Sequence, residues 1–100
     1  MTTASTTLRI PADHPALAGH FPGNPLVPAT VILDAVRQAI EALLPGRRLS
    51  GVSQAKFLSP LRPEQDARIE VDASGDVVRF TCLRDADIIA TGEMILISED

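Results

Sequence analysis

The sequence predicts an α+β fold in which one helix packs against an antiparallel sheet. Apolar residues recur at helical spacing in one stretch that begins near residue 29, and they alternate with polar residues in much of the second half. With 100 residues, of which 45% are apolar, the chain is predicted to form one domain, residues 1–100, with its own core. One helix covers only part of such a sheet, so we expect a second copy to complete the burial in a homodimer.

The chain before the helix holds one short predicted strand and a proline-rich loop. Residues 1–6 are small and polar, and we expect them to be flexible. Thr7–Ile10 is predicted to form a short strand that Pro11 ends. From Ala12 to Pro28 the prolines and glycines exclude a long helix, because proline lacks the backbone N–H and the residue before it avoids the helical region.

The predicted helix has one apolar face and clear signals at both ends. Pro28 suits its first turn, and Pro45-Gly46 ends it after about 16 residues. Its apolar face consists of Ile32, Val36, Ala39, Ile40 and Leu43. The other side carries Asp34, Arg37, Gln38 and Glu41.

Four antiparallel strands are predicted after the helix, following one another as a meander. They are Gly51–Leu58, Asp66–Ala73, a strand through Val78, Phe80 and Cys82, and Ile88–Ile97. Turns are predicted at Ser74-Gly75-Asp76 and at Ala86-Asp87. On the last strand, the residues predicted to share one face are Ile88, Ala90, Gly92, Met94 and Leu96.

Composition argues against several classes of protein. The formal charge of −4 and the pI near 5.0 argue against a nucleic-acid binder, which needs a basic face. We expect no membrane attachment, because no apolar stretch reaches about 18 residues and the first residues do not read as a leader. Cys82 is the only cysteine, which fits a reducing cytoplasm. His14 and His20 do not stand at a familiar ligand spacing, so we expect no metal site.

The stretch GHFPGNPLVPATVILD places chemically useful groups around the start of the helix. His20 is the side chain there whose ordinary pKa suits proton transfer near neutral pH. Asp34 lies about one and a half turns into the helix. Pro28 has no N–H, so Ala29 is the first residue that offers a free N–H to an oxygen. A base, an acid and an oxyanion site together can remove a proton beside a carbonyl and expel a leaving group.

Each of these features also has an ordinary structural explanation. A loop histidine is more often a surface residue than a catalyst, and prolines in a loop restrict the unfolded chain. Asp34 stands three residues before Arg37, the spacing of a common ion pair on a solvated helix face. His14 and Cys82 are interpreted as structural residues.

The string from Gly19 to Gln38, GHFPGNPLVPATVILDAVRQ, resembles the signature of the β-hydroxyacyl-acyl carrier protein dehydratases, enzymes of the hot-dog fold. Five features match that signature in register: the histidine, the Phe-Pro that follows it, the Pro-x-x-Pro step, the acidic residue and the glutamine. KFLSPLRP, residues 56–63, is similar to a strand of that family that ends in a Lys-Phe and proline step. The resemblance runs from about Leu8 onward. It implies a short single-domain hot-dog protein whose sheet wraps around the helix.

The resemblance also implies roles for individual residues. His20 would take the C2 proton of a 3-hydroxyacyl thioester, and Asp34 would hold the departing 3-hydroxyl and help to protonate it. Gln38 would fix the Asp34 carboxyl by a hydrogen bond, and the Ala29 N–H would bind the thioester oxygen. Phe21, Gly23 and Pro28 are the other implied substrate-binding residues. The product would be a trans-2-enoyl thioester in fatty-acid, polyketide or aryl-polyene synthesis.

The implied partners are a second copy of the chain and acyl carrier protein. The histidine and the acid of one site would come from different subunits, and no cofactor is implied beyond the phosphopantetheine arm that carries the substrate. Candidate contacts to the acidic carrier protein are Arg47, Arg48, Lys56 and Arg62, although any soluble surface shows exposed basic residues.

Three departures from the family pattern are visible. Ala29 replaces a glycine and puts a methyl group where substrate passes. Only residues 1–6 precede the first predicted strand, so a more open sheet edge is expected. RPEQD, residues 62–66, replaces a Pro-Gly-Asp turn and is interpreted as a harmless change. Two other functions stay open: a hot-dog thioesterase, in which a carboxylate directs water at the thioester, and a non-catalytic hot-dog that binds acylated carrier protein.

Overall fold

A five-stranded antiparallel sheet with one helix against it forms the protein, and the computed structural model describes residues 2–17 and 26–98. The elements are β1 (Thr2–Leu8), a 3-10 turn (Pro15–Leu17), α1 (Ala29–Leu43), β2 (Arg47–Phe57), β3 (Ala67–Ser74), β4 (Val77–Arg84) and β5 (Asp87–Ser98). The strands lie in the order β1-β3-β4-β5-β2. The predicted α+β class is confirmed.

Helix α1 begins and ends where the prolines predict. Pro28 precedes it in an extended conformation, with φ −61° and ψ 149°, so the helix begins at Ala29. At the other end the Leu44 N–H donates to the Ile40 carbonyl oxygen, and Gly46 follows with a positive φ. The residues of α1 that are buried against the sheet are Val31, Ile32, Val36 and Ile40. These contacts fix which side of the helix faces solvent and therefore where Asp34 lies.

Residues 2–6 correct the expectation of a flexible N-terminus, because they form most of β1 and pair with β3. The first strand was expected at Thr7–Ile10, whereas it ends at Leu8. Alternation explains the difference, since Ala4 and Thr6 are half-buried and Leu8 is buried while the residues between them are exposed. Threonine favours strands, but the small polar composition concealed the pattern.

The predicted meander is right for β3, β4 and β5 and wrong for β2. Strand β2 pairs with β5, from Arg47 opposite Ser98 to Phe57 opposite Ala90, and so lies at the far edge of the sheet. Strand β3 has β1 on one side and β4 on the other, so β2 cannot pair with it. The chain after β2 therefore crosses the sheet before β3 begins. Strand β2 also begins at Arg47, earlier than the Gly51 that the sequence predicts.

A bulge in β5 corrects the predicted face of the last strand. Cys82 pairs with Ala90 but Leu83 pairs with Ile88, so Ile89 has no partner in the ladder. Ile89 is therefore fully buried, and Ile88, predicted on the shared face, is 41% exposed. Beyond the bulge the predicted alternation holds, with Met94 and Leu96 buried.

Candidate active site

Asp34 lies on the solvent side of α1, and both of its carboxylate oxygens accept hydrogen bonds from the same helix. The Gln38 amide donates to Oδ2 at 2.8 Å. The Arg37 guanidinium donates to Oδ1 from Nη2 at 2.7 Å and from Nε at 3.2 Å. The expected Gln38 bond and the ordinary i,i+3 ion pair are therefore both present.

These contacts hold the pKa of Asp34 below its ordinary value, so they add to the preference of this side chain for the carboxylate form near neutral pH. The Arg37 hydrogen bond is the main cause that lowers the pKa of Asp34, and the Gln38 bond and the charges of Arg37 and His14 act in the same direction. Partial desolvation opposes them. The Asp34 side chain is 54% exposed, so solvent weakens each of these effects. In the free chain Asp34 is thus a hydrogen-bond acceptor for a group that approaches from outside.

A cavity of about 370 Å³ separates Asp34 from the segment that follows β1. Its lining residues are Leu8, Arg9, Ile10, His14, Thr30, Val31, Asp34, Ala35 and Gln38. His14 reaches this cavity through a local turn, in which its N–H donates to the Pro11 carbonyl oxygen at 3.1 Å. His14, which the sequence analysis interprets as a structural residue, is therefore part of the lining of the cavity that Asp34 faces.

Apolar side chains line a second cavity, of about 300 Å³, at the start of α1. Its lining residues are Leu26, Val27, Ala29, Ile32, Phe57, Leu58, Ser59, Pro60 and Leu61. The Val27 N–H donates to the Leu61 carbonyl oxygen at 2.8 Å and holds the helix start against the chain after β2. Ala29 is exposed here, in the first turn, where N–H groups have no acceptor within the helix.

A third cleft, of about 380 Å³, lies on the β2 side of Asp34. It is lined by Thr30, Leu33, Asp34 and Arg37 of α1, by Leu49, Ser50, Gly51 and Val52 of β2, and by Met94. Asp34 therefore forms part of the wall of two clefts, one on each side of the exposed helix ridge.

Three predicted site residues, His20, Phe21 and Gly23, lie outside the described residues. The other predicted site residues lie on or next to α1. Pro28 directly precedes the helix and is half-buried, and the helix itself carries Ala29, Asp34 and Gln38. Within residues 2–17 and 26–98 no group of three or more histidine, cysteine or acidic side chains is arranged to hold a metal ion. Within the same ranges, no helix has the length and apolar character to cross a membrane.

The four basic residues suggested for the carrier protein do not form one patch. Arg47 and Lys56 lie at opposite ends of β2, about 30 Å apart at the usual rise of a strand. Arg47 is ion-paired with Asp76 at 3.1 Å. Arg48 follows Arg47 in the strand, and Arg62 belongs to the connection after the Lys56 end. The structure thus places Arg47 and Arg48 far from Lys56, and Arg47 and Arg48 point to opposite faces of the sheet because they are neighbours in a strand.

Comparison with known proteins gives the same family as the resemblance of residues 19–38. A family model described as "ApeI-like: ApeI dehydratase" matches residues 1–93. The 3-hydroxyacyl-[acyl-carrier-protein] dehydratase FabZ of Bartonella bacilliformis is 33% identical over 90 residues, covering 78% of this chain and 58% of that protein. FabZ of Koribacter versatilis is 40% identical over 63 residues, which are 54% of this chain and 40% of that protein. The chain spans about half the length of the curated relatives it matches.

Among solved structures, a chain of the dehydratase heterocomplex ApeI:P from Xenorhabdus doucetiae superposes with a TM-score of 0.81 at 26% identity, covering 94% of this chain and 86% of that chain. An uncharacterised protein of Pyrococcus horikoshii superposes with a TM-score of 0.80 at 12% identity, which supports the fold alone. The family resemblance read from the sequence is confirmed, as is the arrangement of one helix against an antiparallel sheet. This chain has the hot-dog fold and belongs to the ApeI-like dehydratase family.

Proposed function

We propose that the protein removes water from a 3-hydroxyacyl thioester carried on acyl carrier protein and forms the trans-2-enoyl thioester. The observation that carries the proposal is the Asp34 carboxylate, oriented by Gln38 and presented at a cavity wall in a member of a dehydratase family. FabZ relatives with that named activity support the choice of substrate. The proposed pathway is fatty-acid, polyketide or aryl-polyene synthesis.

The helix supplies two fixed points for the substrate. The thioester oxygen binds the Ala29 N–H, where the first turn of α1 offers unused donors and the positive end of the helix dipole. The 3-hydroxyl binds Asp34, five residues further on, about 7.5 Å along the helix axis. Helical side chains lean toward the N-terminus, which brings the Asp34 carboxylate closer to the thioester position. The apolar cavity beside Ala29 then receives carbon chain or pantetheine.

The proposed chemistry is an elimination in which atoms and charges balance. His20 takes the C2 proton, the electron pair forms the C2–C3 double bond, and the C3–O bond breaks. The proton that His20 removed passes through Asp34 to the leaving oxygen, which departs as water and leaves His20 neutral and Asp34 ionised. Because the pKa of Asp34 is lowered, Asp34 acts first as an acceptor for the 3-hydroxyl and relays a proton only during bond breaking. No cofactor takes part in these steps.

A second copy of the chain is proposed to cover the open side of the site. Strand β2 is an edge, and its Val52 and Phe57 pair with Met94 and Ala90, which are 1% and 0% exposed. Partners in a ladder share a face, so Val52 and Phe57 continue the core side of the sheet, yet they are 47% and 41% exposed. A homodimer formed there would bury this surface and bring a partner histidine toward Asp34. The carrier protein would approach the basic residues at one end of β2, near Arg47 or near Lys56.

The test is an assay of the purified protein with 3-hydroxyacyl carrier protein, read by mass spectrometry. Loss of 18 Da from the acyl group, the mass of water, is expected for dehydration. Loss of the whole acyl group would instead indicate a thioesterase, and no change would indicate a non-catalytic binder. Asp34→Asn and His20→Ala should each lower kcat by at least ~10²-fold. Asp87→Asn is the control, because Asp87 is an exposed, ion-paired carboxylate at the start of β5.

Mixing the two inactive variants tests the shared site. If each site combines His20 of one subunit with Asp34 of the other, hybrid dimers contain one intact site and regain part of the activity. A mixture that stays inactive after subunit exchange has been demonstrated would refute the shared arrangement. A monomer in solution at assay concentration would refute the homodimer itself.

A further inference from the structure

Glu64 binds the segment after β1, although it stands more than fifty positions later in the chain. Its Oε1 accepts a hydrogen bond from the Ala12 N–H at 2.8 Å. Its Oε2 accepts from the Arg9 guanidinium at 3.0 Å and 3.3 Å. The Glu64 N–H donates in turn to the Ile10 carbonyl oxygen at 2.8 Å. One residue therefore binds both the main chain and a side chain of residues 9–12.

The backbone at Glu64 is in a conformation that glutamate rarely adopts. Its φ is 68°, in the left-handed region that favours glycine. Glutamate at this position thus costs free energy that glycine would avoid, and the bonds of its side chain and N–H to residues 9–12 offset that cost. A harmless loop change would need neither the strain nor the contacts, so the earlier interpretation of RPEQD does not account for Glu64.

The segment that Glu64 holds forms one wall of the Asp34 cavity. Arg9, Ile10 and His14 line that cavity opposite the helix residues Asp34 and Gln38. The turn that presents His14 begins at Pro11, next to the tethered Ala12. Movement of residues 9–12 would therefore change the distance between His14 and the carboxylate.

We propose that Glu64 is a positioning residue of the dehydratase site, which fixes residues 9–12 so that the turn carrying His14 stays against the Asp34 cavity. This inference rests on the proposed function. The tethered wall faces Asp34, where the 3-hydroxyl reacts, whereas the thioester and carbon chain bind near Ala29. Loss of the tether should therefore lower kcat and leave KM nearly unchanged.

Two substitutions of Glu64 separate positioning from folding. Glu64→Gly removes the side-chain bonds to Arg9 and Ala12, keeps the backbone N–H that donates to Ile10, and relieves the backbone, so the fold is not weakened by strain. Glu64→Gln keeps an oxygen that accepts from the Ala12 N–H. We expect kcat of Glu64→Gly to fall by about 10–100-fold, because misplacement of about 1 Å can have that effect, with KM within about twofold. Glu64→Gln should retain kcat within about threefold, since the geometric contact to Ala12 is preserved.

Glu70→Ala is the matched control for Glu64→Ala. The Glu70 side chain is 50% exposed and ion-paired with Arg68 at 3.1 Å, and the Glu64 side chain is 49% exposed and ion-paired with Arg9 at 3.0 Å. Glu70 lies on β3 and takes no part in the cavity. The control should keep wild-type kcat, whereas Glu64→Ala should lose it as Glu64→Gly does.

Amide exchange gives a readout that does not depend on activity. The Ala12 amide should exchange faster in Glu64→Gly and at the wild-type rate in Glu64→Gln. Wild-type kcat in Glu64→Gly, equal losses in the Glu64 and Glu70 alanine variants, or unchanged Ala12 exchange would each overturn the positioning role. If the wild-type chain does not dehydrate the substrate, the proposed function fails and takes this role with it. If wild type is active and Glu64→Gly equals it, only the positioning role fails.

Discussion

Gly92 is the position where the sheet leaves no room for a side chain. It lies in β5 between Phe80 of β4 and Ala55 of β2. A Cβ built on Gly92 overlaps the Gln54 carbonyl oxygen and lies 2.8 Å from the Phe80 ring and 3.0 Å from the Ala55 Cα. Ordinary carbon contacts are about 3.5–4.0 Å, so Gly92→Ala forces β2 away from β5 by about 1 Å. Two of the three obstructing atoms are main-chain atoms and cannot rotate aside.

The free energy of unfolding should fall by about 2–3 kcal/mol in Gly92→Ala, the upper part of the range for overpacking, because main chain has to move. For a domain of this size, 1 kcal/mol corresponds to about 4–8 °C in Tm, which gives a decrease of ~8–24 °C. Activity should fall as well, since β2 forms one wall of the cleft beside Asp34.

Thermal unfolding followed by circular dichroism, at equal protein concentration, measures this effect. Gly51→Ala is the control, because no heavy atom lies within 4 Å of a Cβ built there. Its effect should stay within about 0.5 kcal/mol, typical of a surface substitution. A Gly92→Ala protein that melts within about 2 °C of wild type would refute the close approach of β2 and β5 at this point.

Two further predictions concern titrating groups. In Arg37→Leu the pKa of Asp34 should rise toward the ordinary aspartate value, because the Arg37 hydrogen bond is the main cause of its lowering. Carboxyl NMR titration measures the pKa of Asp34 in both proteins. An unchanged or lower pKa in the variant would contradict the prediction. Burial raises the pKa of Cys82 to about 11, so at pH 8 only about one thiol in a thousand is ionised. Iodoacetamide should therefore modify Cys82 in the folded protein at least ~10²-fold more slowly than in the urea-unfolded chain. Rapid modification of folded Cys82 would show that β4 opens.

The helix could be predicted closely because its signals are local. Pro28 cannot donate a helical hydrogen bond and Pro45 cannot continue the helix, so the two prolines mark both ends within a residue or two. The spacing of Asp34 and Gln38, one turn apart, likewise predicts their hydrogen bond, because i,i+4 side chains are neighbours on any helix. These contacts depend on sequence separation alone.

The rest depends on contacts between distant segments, which alternation does not encode. Strand β2 shows exposed polar and apolar residues without a clear period, so its place beside β5 could not be read from its own sequence. The bulge at Ile89 reverses the face of Ile88 and has no glycine or proline to signal it. The contacts of Glu64 with Arg9 and Ala12 join distant parts of the chain, and a positive φ at a glutamate is visible only in the structure.

Asp34 is both the ion-pair partner of Arg37 and the proposed catalytic carboxylate, and this combination restricts the mechanism. Arg37 lowers the pKa of Asp34, which favours the anion that a 3-hydroxyl can bind but opposes donation of a proton to the leaving group. Glu41 accepts from Nη1 of the same guanidinium at 2.7 Å, so Arg37 has a second anchor one turn away and can release Asp34 without losing all its partners. Exclusion of water at a covered site would raise the pKa of Asp34, because desolvation disfavours the charged form. Proton transfer from Asp34 is therefore expected only when substrate and a second subunit close over α1, and the Arg37 pair keeps the open site in its binding state.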